Sequence, residues 1–133
     1  MKRNHWLATA AILGAIGVGL GAFGAHIIAG RLEVWFDDAP RRLEIWKTAV
    51  QYLMIHAVAL LTIVGAAGHE SRWLNVVGIL FVAGTCLFSG SLMVLAVSHW
   101  RFLGMVAPLG GTCLILGWVW AAWGLWTNRS THP

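Results

Sequence analysis

Four stretches of this 133-residue chain are apolar over lengths that cross a bilayer, at about 6–29, 45–67, 73–97 and 103–126. At about 1.5 Å rise per residue, a helix over each exceeds the roughly 30 Å of the hydrocarbon core. Spanning strands are about ten residues long and alternate in polarity, and these segments do not alternate. The chain is 59% hydrophobic and only 11% charged, where a soluble domain carries about 25% charged residues. A soluble domain of this size has too little interior to hide that apolar excess. The expected fold is all-α: a single polytopic membrane domain over 1–133, with four transmembrane helices in an antiparallel bundle and an interfacial loop at about 30–44.

Met1-Lys2-Arg3 resembles the n-region of a signal peptide, but the apolar run behind it is too long for a typical h-region, so it reads as a retained helix. The Asn128-Arg129-Ser130 sequon is a pattern common by chance and carries no weight. Of nine tryptophans, Trp6, Trp73 and Trp126 fall at one expected membrane surface, and Trp46 and Trp100 at the other, as an aromatic belt would. An even number of spans puts both termini on one side. Lys2, Arg3, Arg72 and Arg129 face that side, against Arg31, Arg41, Arg42, Lys47 and Arg101 on the other, so the count of basic residues does not choose. The basic N-terminus favours termini in the cytoplasm. The formal charge of +4 reads as flanking anchors, since no basic run exceeds two residues; a nucleic-acid partner is not expected.

Lipid tails supply no hydrophobic drive for helix association, so small residues must let the helices approach. Ala10, Gly14, Gly17, Gly21 and Gly24 recur on one face of the first span and include a GxxxG. Gly110, Cys113, Gly117, Ala121 and Gly124 form a second such face in the fourth. Either face serves a homo-oligomer interface or contact among the chain's own helices, and a four-helix bundle requires the second. In the loop, Leu32, Trp35 and Phe36 interleave with Arg31, Glu33, Asp37 and Asp38, which suits a segment lying flat on the membrane. Asp38-Ala-Pro40 then looks like a helix start, with proline in the first turn.

Polar groups inside a bilayer are costly, and each needs a reason. Depth counted from the helix ends puts His26, Thr48, Gln51, Tyr52, Thr85, Ser89, Ser91 and the Pro108-Leu-Gly-Gly111 segment in one leaflet, with His56 a turn or more further down. Three readings are open. Hydrogen bonds across helices would lock the bundle. A small polar cavity for a proton, an ion or a lipid headgroup would use His26 and His56 as titrating groups. A metal site would use Cys86 and Cys113, which share a depth near the midplane, with His56. Against the last, there is no CxxC, HxxxH or CxxCH, and buried cysteines behave mostly as small apolar residues. Ser89-Gly-Ser91 is not a nucleophile elbow, and no acid–base pair lies within the spans.

Four motifs occur in order: Gly21-Ala-Phe-Gly-Ala-His26; Trp46-Lys-Thr-Ala-Val-Gln-Tyr-Leu-Met-Ile-His56; Leu87-Phe-Ser-Gly-Ser-Leu92; and Pro108-Leu-Gly-Gly111 followed by Gly117-Trp118. Together they resemble the YgdD-like small membrane protein family, a domain of unknown function in bacteria with relatives in eukaryotes. The resemblance covers nearly the whole chain and implies a four-helix inner-membrane protein. Its characteristic positions fall on Gly24, His26, Thr48, Gln51, Tyr52, His56, Ser89, Gly90, Ser91, Pro108, Gly110 and Gly111. Met93 departs from it, standing where members often carry tyrosine, and the cysteines lie outside its motifs. It implies no biochemical activity.

The expectation is a non-enzymatic, multi-pass protein of the bacterial inner membrane, without cofactor or metal. It would serve as an accessory or assembly subunit of a membrane complex, or as a small homo-oligomer, in contact with the lipid bilayer. The alternative is a small transporter or channel built on the polar cluster His26, Thr48, Gln51, Tyr52, His56, Ser89, Ser91 and Pro108. Gly14, Gly17, Gly21, Gly24, Gly110, Gly117 and Gly124 are the expected packing positions.

Overall fold

A computed structural model describes residues 2–67 and 71–128, so the sequon and Arg129 extend beyond the described residues. Helix α1 (Arg3–Phe23) continues through a wider turn at Gly24–Ile28 into α2 (Ala29–Trp35). Within that turn the Ala29 N–H reaches back five residues to the Gly24 carbonyl. Then follow α3 (Ala39–Ala66), α4 (Arg72–Val97), a 3₁₀ turn (Arg101–Met105) and α5 (Ala107–Asn128). Four helical rods are long and apolar enough to cross a membrane, with α1 and α2 together making the first, and there is no strand among the described residues. The segment expected as a loop at 30–44 is mostly helix: α2 runs on through Trp35, and only residues 36–38 separate it from α3. Its apolar residues explain this, because Leu32 is fully buried and Phe36 packs onto the same core, so the segment extends a helix rather than lying loose. Asp38 does precede α3 with Pro40 in the first turn, but its side chain caps nothing.

Helix α3 packs against α1 on one side and α4 on the other, and α4 carries α5, so α3 and α4 form the middle of the bundle. Two apolar clusters result. One, nearer the chain termini, centres on Leu60, Val64, Leu74, Val77 and Phe81. The other centres on Ile28, Leu32, Trp46 and Ala96 at the opposite end.

Aromatic rings seated on glycines make the inter-helix contacts. Trp6, Trp46 and Trp73, expected in an interfacial belt, are only 4%, 6% and 8% exposed and turn inward. A Cβ at Gly78 would lie 2.6 Å from the Trp6 ring, and side chains at Gly24 and Gly124 would run into Trp46 and Trp73. Gly117 receives Phe81 in the same way, and Gly17 receives Met54. The indole N–H groups are satisfied by neighbours in two cases: Trp6 donates to Asn75 Oδ1 (2.8 Å), and Trp46 donates to the Leu20 carbonyl (3.1 Å), beside the widened turn. Trp100 and Trp126 do stay exposed.

The closest backbone approach is between α4 and α5, where a Cβ at Gly110 would meet the Phe88 backbone and come within 2.9 Å of the Gly84 carbonyl. Backbone atoms cannot swing aside as a side-chain tip does. Gly14, on the expected packing face of α1, has nothing within 4 Å of its Cβ direction and joins no contact. Gly110→Ala is therefore expected to cost about 1–3 kcal/mol through forced separation of α4 and α5. Gly14→Ala should be neutral, or stabilising by up to about 1 kcal/mol through helix propensity. Thermal unfolding of the two variants in detergent separates them.

At the far end of the bundle one side chain closes the C-terminus of α4. Arg42 Nη1 donates to the carbonyls of Leu95 (3.1 Å), Ala96 (3.3 Å) and Ser98 (2.7 Å), groups that have no helical partner at a helix end. Its Nε pairs with Asp38 Oδ1 at 2.6 Å, and its guanidinium lies 3.7 Å over the Phe36 ring. One residue thus joins the α2–α3 turn, the start of α3 and the end of α4. Arg42→Ala is expected to lose about 2–3 kcal/mol, since charge-assisted hydrogen bonds are the stronger kind. Arg42→Lys should recover only part of that, lacking the planar fork; unfolding temperatures of both check it.

Candidate functional site

The polar positions read from the sequence divide into an inner and an outer set. His56, Thr85, Ser89 and Ser91 are buried. On α3 and α4 they lie between the stretches that build the two apolar clusters, so a polar layer crosses the middle of the bundle. His26, Thr48, Gln51 and Pro108 are on the outer surface. Tyr52 is 39% exposed and spans the boundary, its ring 4.5 Å from Phe88 and 6.0 Å from His56, centroid to centroid.

His56 is the best-determined group of the inner set. Its Nδ1 is 2.8 Å from the Tyr52 carbonyl, one turn back on α3. Its Nε2 is 3.1 Å from Trp118 Nε1 on α5. An indole nitrogen only donates and a carbonyl only accepts. The ring therefore takes the neutral form with its proton on Nδ1, donating to Tyr52 and accepting from Trp118, an assignment made from the network. Phe81 closes the ring in edge-on at 5.1 Å. Both nitrogens are spent, and a second proton on Nε2 would face the Trp118 N–H. The arrangement suits a fixed crosslink between α3 and α5 and leaves no nitrogen for proton relay or metal binding.

The hydroxyls behave as helix-local groups. Ser91 Oγ donates to the Phe88 carbonyl (3.0 Å), and Thr48 Oγ1 to the Glu44 carbonyl (2.9 Å). Two others do not follow this pattern: Thr85 Oγ1 and Ser89 Oγ, one turn apart on α4, are buried with no hydrogen-bond partner among the described residues. The two cysteines separate, Cys86 pointing outward and Cys113 half-buried. Among the described residues no three of His, Cys, Asp and Glu gather. Two partners escaped the sequence reading. Asn75, which ties Trp6, was masked by its apolar neighbours, and its lone amide inside a span was the available signal. Trp118 is legible in the sequence only as part of the Gly117-Trp118 motif, which cannot show a hydrogen bond to His56.

Of the outer set, Gln51 lines a groove of about 430 Å³ between α1–α2 and α3, with Gly21, Gly24, Ala25 and Ala29 on one side and Leu43, Trp46, Lys47 and Val50 beside Gln51 on the other. His26 sits on the widened turn beside it, exposed. Gln51 is one turn below Lys47 on α3, so its amide is about 6 Å deeper than the charged residue.

The sequence matches the model of a family described as "Protein of unknown function (DUF423)" over residues 20–111. It is similar to the UPF0382 membrane protein YwdK of Bacillus subtilis, with 42% identity over 81% of this chain and 88% of that one. A UPF0382 membrane protein of Schizosaccharomyces pombe is 36% identical over 82% of this chain and 91% of its own. One from Haemophilus influenzae is 30% identical over 96% and 98%. No solved structure matches the chain.

Trp118→Phe keeps an aromatic ring on α5 but removes the donor to His56 together with the indole's five-membered ring. It is expected to lower stability by about 0.5–1.5 kcal/mol, the range of hydrogen bonds between membrane helices. In nitrogen NMR spectra of labelled histidine, wild-type His56 should show the Nδ1–H form, and the variant a loss of that fixed signature.

Proposed function

The chain belongs to the DUF423 family of membrane proteins of unknown function, and we propose that it is a non-enzymatic assembly element that binds a transmembrane helix of another subunit, or of a second copy, in the outer groove. One observation carries this reading: Gln51 is exposed on the outer surface of α3, a helix long and apolar enough to cross a membrane. A polar side chain facing lipid is costly, and a partner helix with a matching donor or acceptor removes the cost. Gly21, Ala25 and Ala29 repeat every four residues along the opposite wall, which lets a helix backbone come close. The transport reading asks His26 and His56 to share a lumen, and here His26 is outside while both nitrogens of His56 are occupied. The ordered motifs support placing the chain with the YgdD-like members of the family, in a bacterial inner membrane.

Native mass spectrometry of protein extracted gently from its own membrane tests the proposal. The expected mass exceeds the 14.5 kDa chain by that of a partner polypeptide or a second copy. Gln51→Leu should reduce the assembled fraction several-fold, since such a contact contributes about 1 kcal/mol. A wild-type chain found only as a monomer, or assembly indifferent to Gln51→Leu, overturns it.

A further inference from the structure

A second cavity, of about 340 Å³, opens at the loop end of the bundle between the start of α3, the end of α4 and the 3₁₀ turn, independent of the outer groove. Its lining holds three arginines, Arg41, Arg42 and Arg101, with a single carboxylate, Asp38, and the apolar side chains of Ile45 and Leu95. That carboxylate is committed. Asp38 is hydrogen-bonded to Arg42, which holds its carboxyl below the usual carboxylate range. Arg42 is in turn fixed by the three carbonyls at the end of α4. Asp38 and Arg42 therefore largely cancel, and Arg41, which adds a weaker attraction to Asp38, lines the same cavity as Arg101; neither of these two arginines forms an ion pair among the described residues.

The cavity's position gives the occupant. Trp100 and Phe102, 62% and 55% exposed, flank the 3₁₀ turn with their rings 6.0 Å apart, and Trp35 is exposed at the end of α2. Exposed aromatic rings beside arginines at the end of transmembrane helices mark the headgroup layer. Ile45, one turn further into α3 than Arg41, and Leu95, near the end of α4, add an apolar wall to the cavity. We infer that this cavity binds the phosphate of an anionic phospholipid, with Arg41 and Arg101 as its ligands and Ile45 and Leu95 against the glycerol and upper acyl chain. Guanidinium forks match phosphate oxygens in pairs, and basic pockets among helices at the membrane surface select charged headgroups. Arg42 is the positioning residue, holding α3 and α4 at the separation that forms the cavity.

The test is native mass spectrometry and thermal unfolding of the full chain in nanodiscs of phosphatidylglycerol or of phosphatidylcholine. Wild type should retain one phosphatidylglycerol in preference to phosphatidylcholine and unfold at a higher temperature in the anionic discs. Arg41→Gln with Arg101→Gln should weaken that retention on the order of tenfold. The double lysine variant, Arg41→Lys with Arg101→Lys, should keep most of it, which separates loss of charge from loss of fold. Equal retention of the two lipids, or a preference untouched by the glutamine pair, overturns the inference. So does protection by inorganic phosphate in phosphatidylcholine discs without any preference for phosphatidylglycerol, which would assign the cavity to the free anion.

Discussion

With hydrocarbon outside the bundle as well as within it, burying apolar side chains gains almost nothing, and the helices are held by how closely they fit. In this chain the fit is a ring on a glycine. Trp6 on Gly78, Trp46 on Gly24 and Trp73 on Gly124 join α1 to α4, α3 to α1 and α4 to α5. Each contact puts a large flat surface against bare backbone and gains dispersion along its whole face. The Gly84–Gly110 approach continues the same logic without a ring, backbone against backbone.

Polar groups then fix the register that ring packing alone would leave loose. Indole N–H groups reach Asn75 and the Leu20 carbonyl, and a third indole, Trp118, reaches His56 across the middle of the bundle. The widened turn at Gly24–Ile28 belongs to this arrangement: the Leu20 carbonyl accepts both the Gly24 N–H and the Trp46 indole, while Trp46 rests on Gly24. Arg42 does for the loop end what these indoles do within the span, satisfying carbonyls that α4 leaves open at its terminus.

These commitments decide what remains available for function. An interior whose histidine is neutral and bonded at both nitrogens is a scaffold, and the chemistry left over is on the outside. Gln51 lines a groove between α1–α2 and α3, and exposed His26 lies next in sequence to its Ala25. Arg41 and Arg101 line a cavity at the loop end of the bundle. A chain made almost wholly of membrane-spanning helices has its surface as its main place of contact, and on the readings proposed above its two polar features would meet partners within the membrane.

Four spans, their helical form and the membrane as solvent were legible in the sequence, because length and apolarity over some twenty residues admit one solution in a bilayer. Counting along a helix also sorts the small residues into faces and orders the polar residues by position along each span. The direction in which each side chain points was not legible. Gly14 and Gly17 share a face on paper, yet only Gly17 meets a neighbour. Gln51 and His56 lie little more than a turn apart, and one faces out while the other is sealed in. The tryptophans at the ends of the spans turn in or out according to whether a glycine stands opposite, a fact about a different helix. Arg42 is one basic residue among five at its surface until α4 ends beside it. Composition determined that the chain has four helices fit to cross a membrane, and the packing of one helix against the next decided which residues hold it together and which are left on its outer surface, because hydrocarbon is indifferent to both and only shape and hydrogen bonds discriminate.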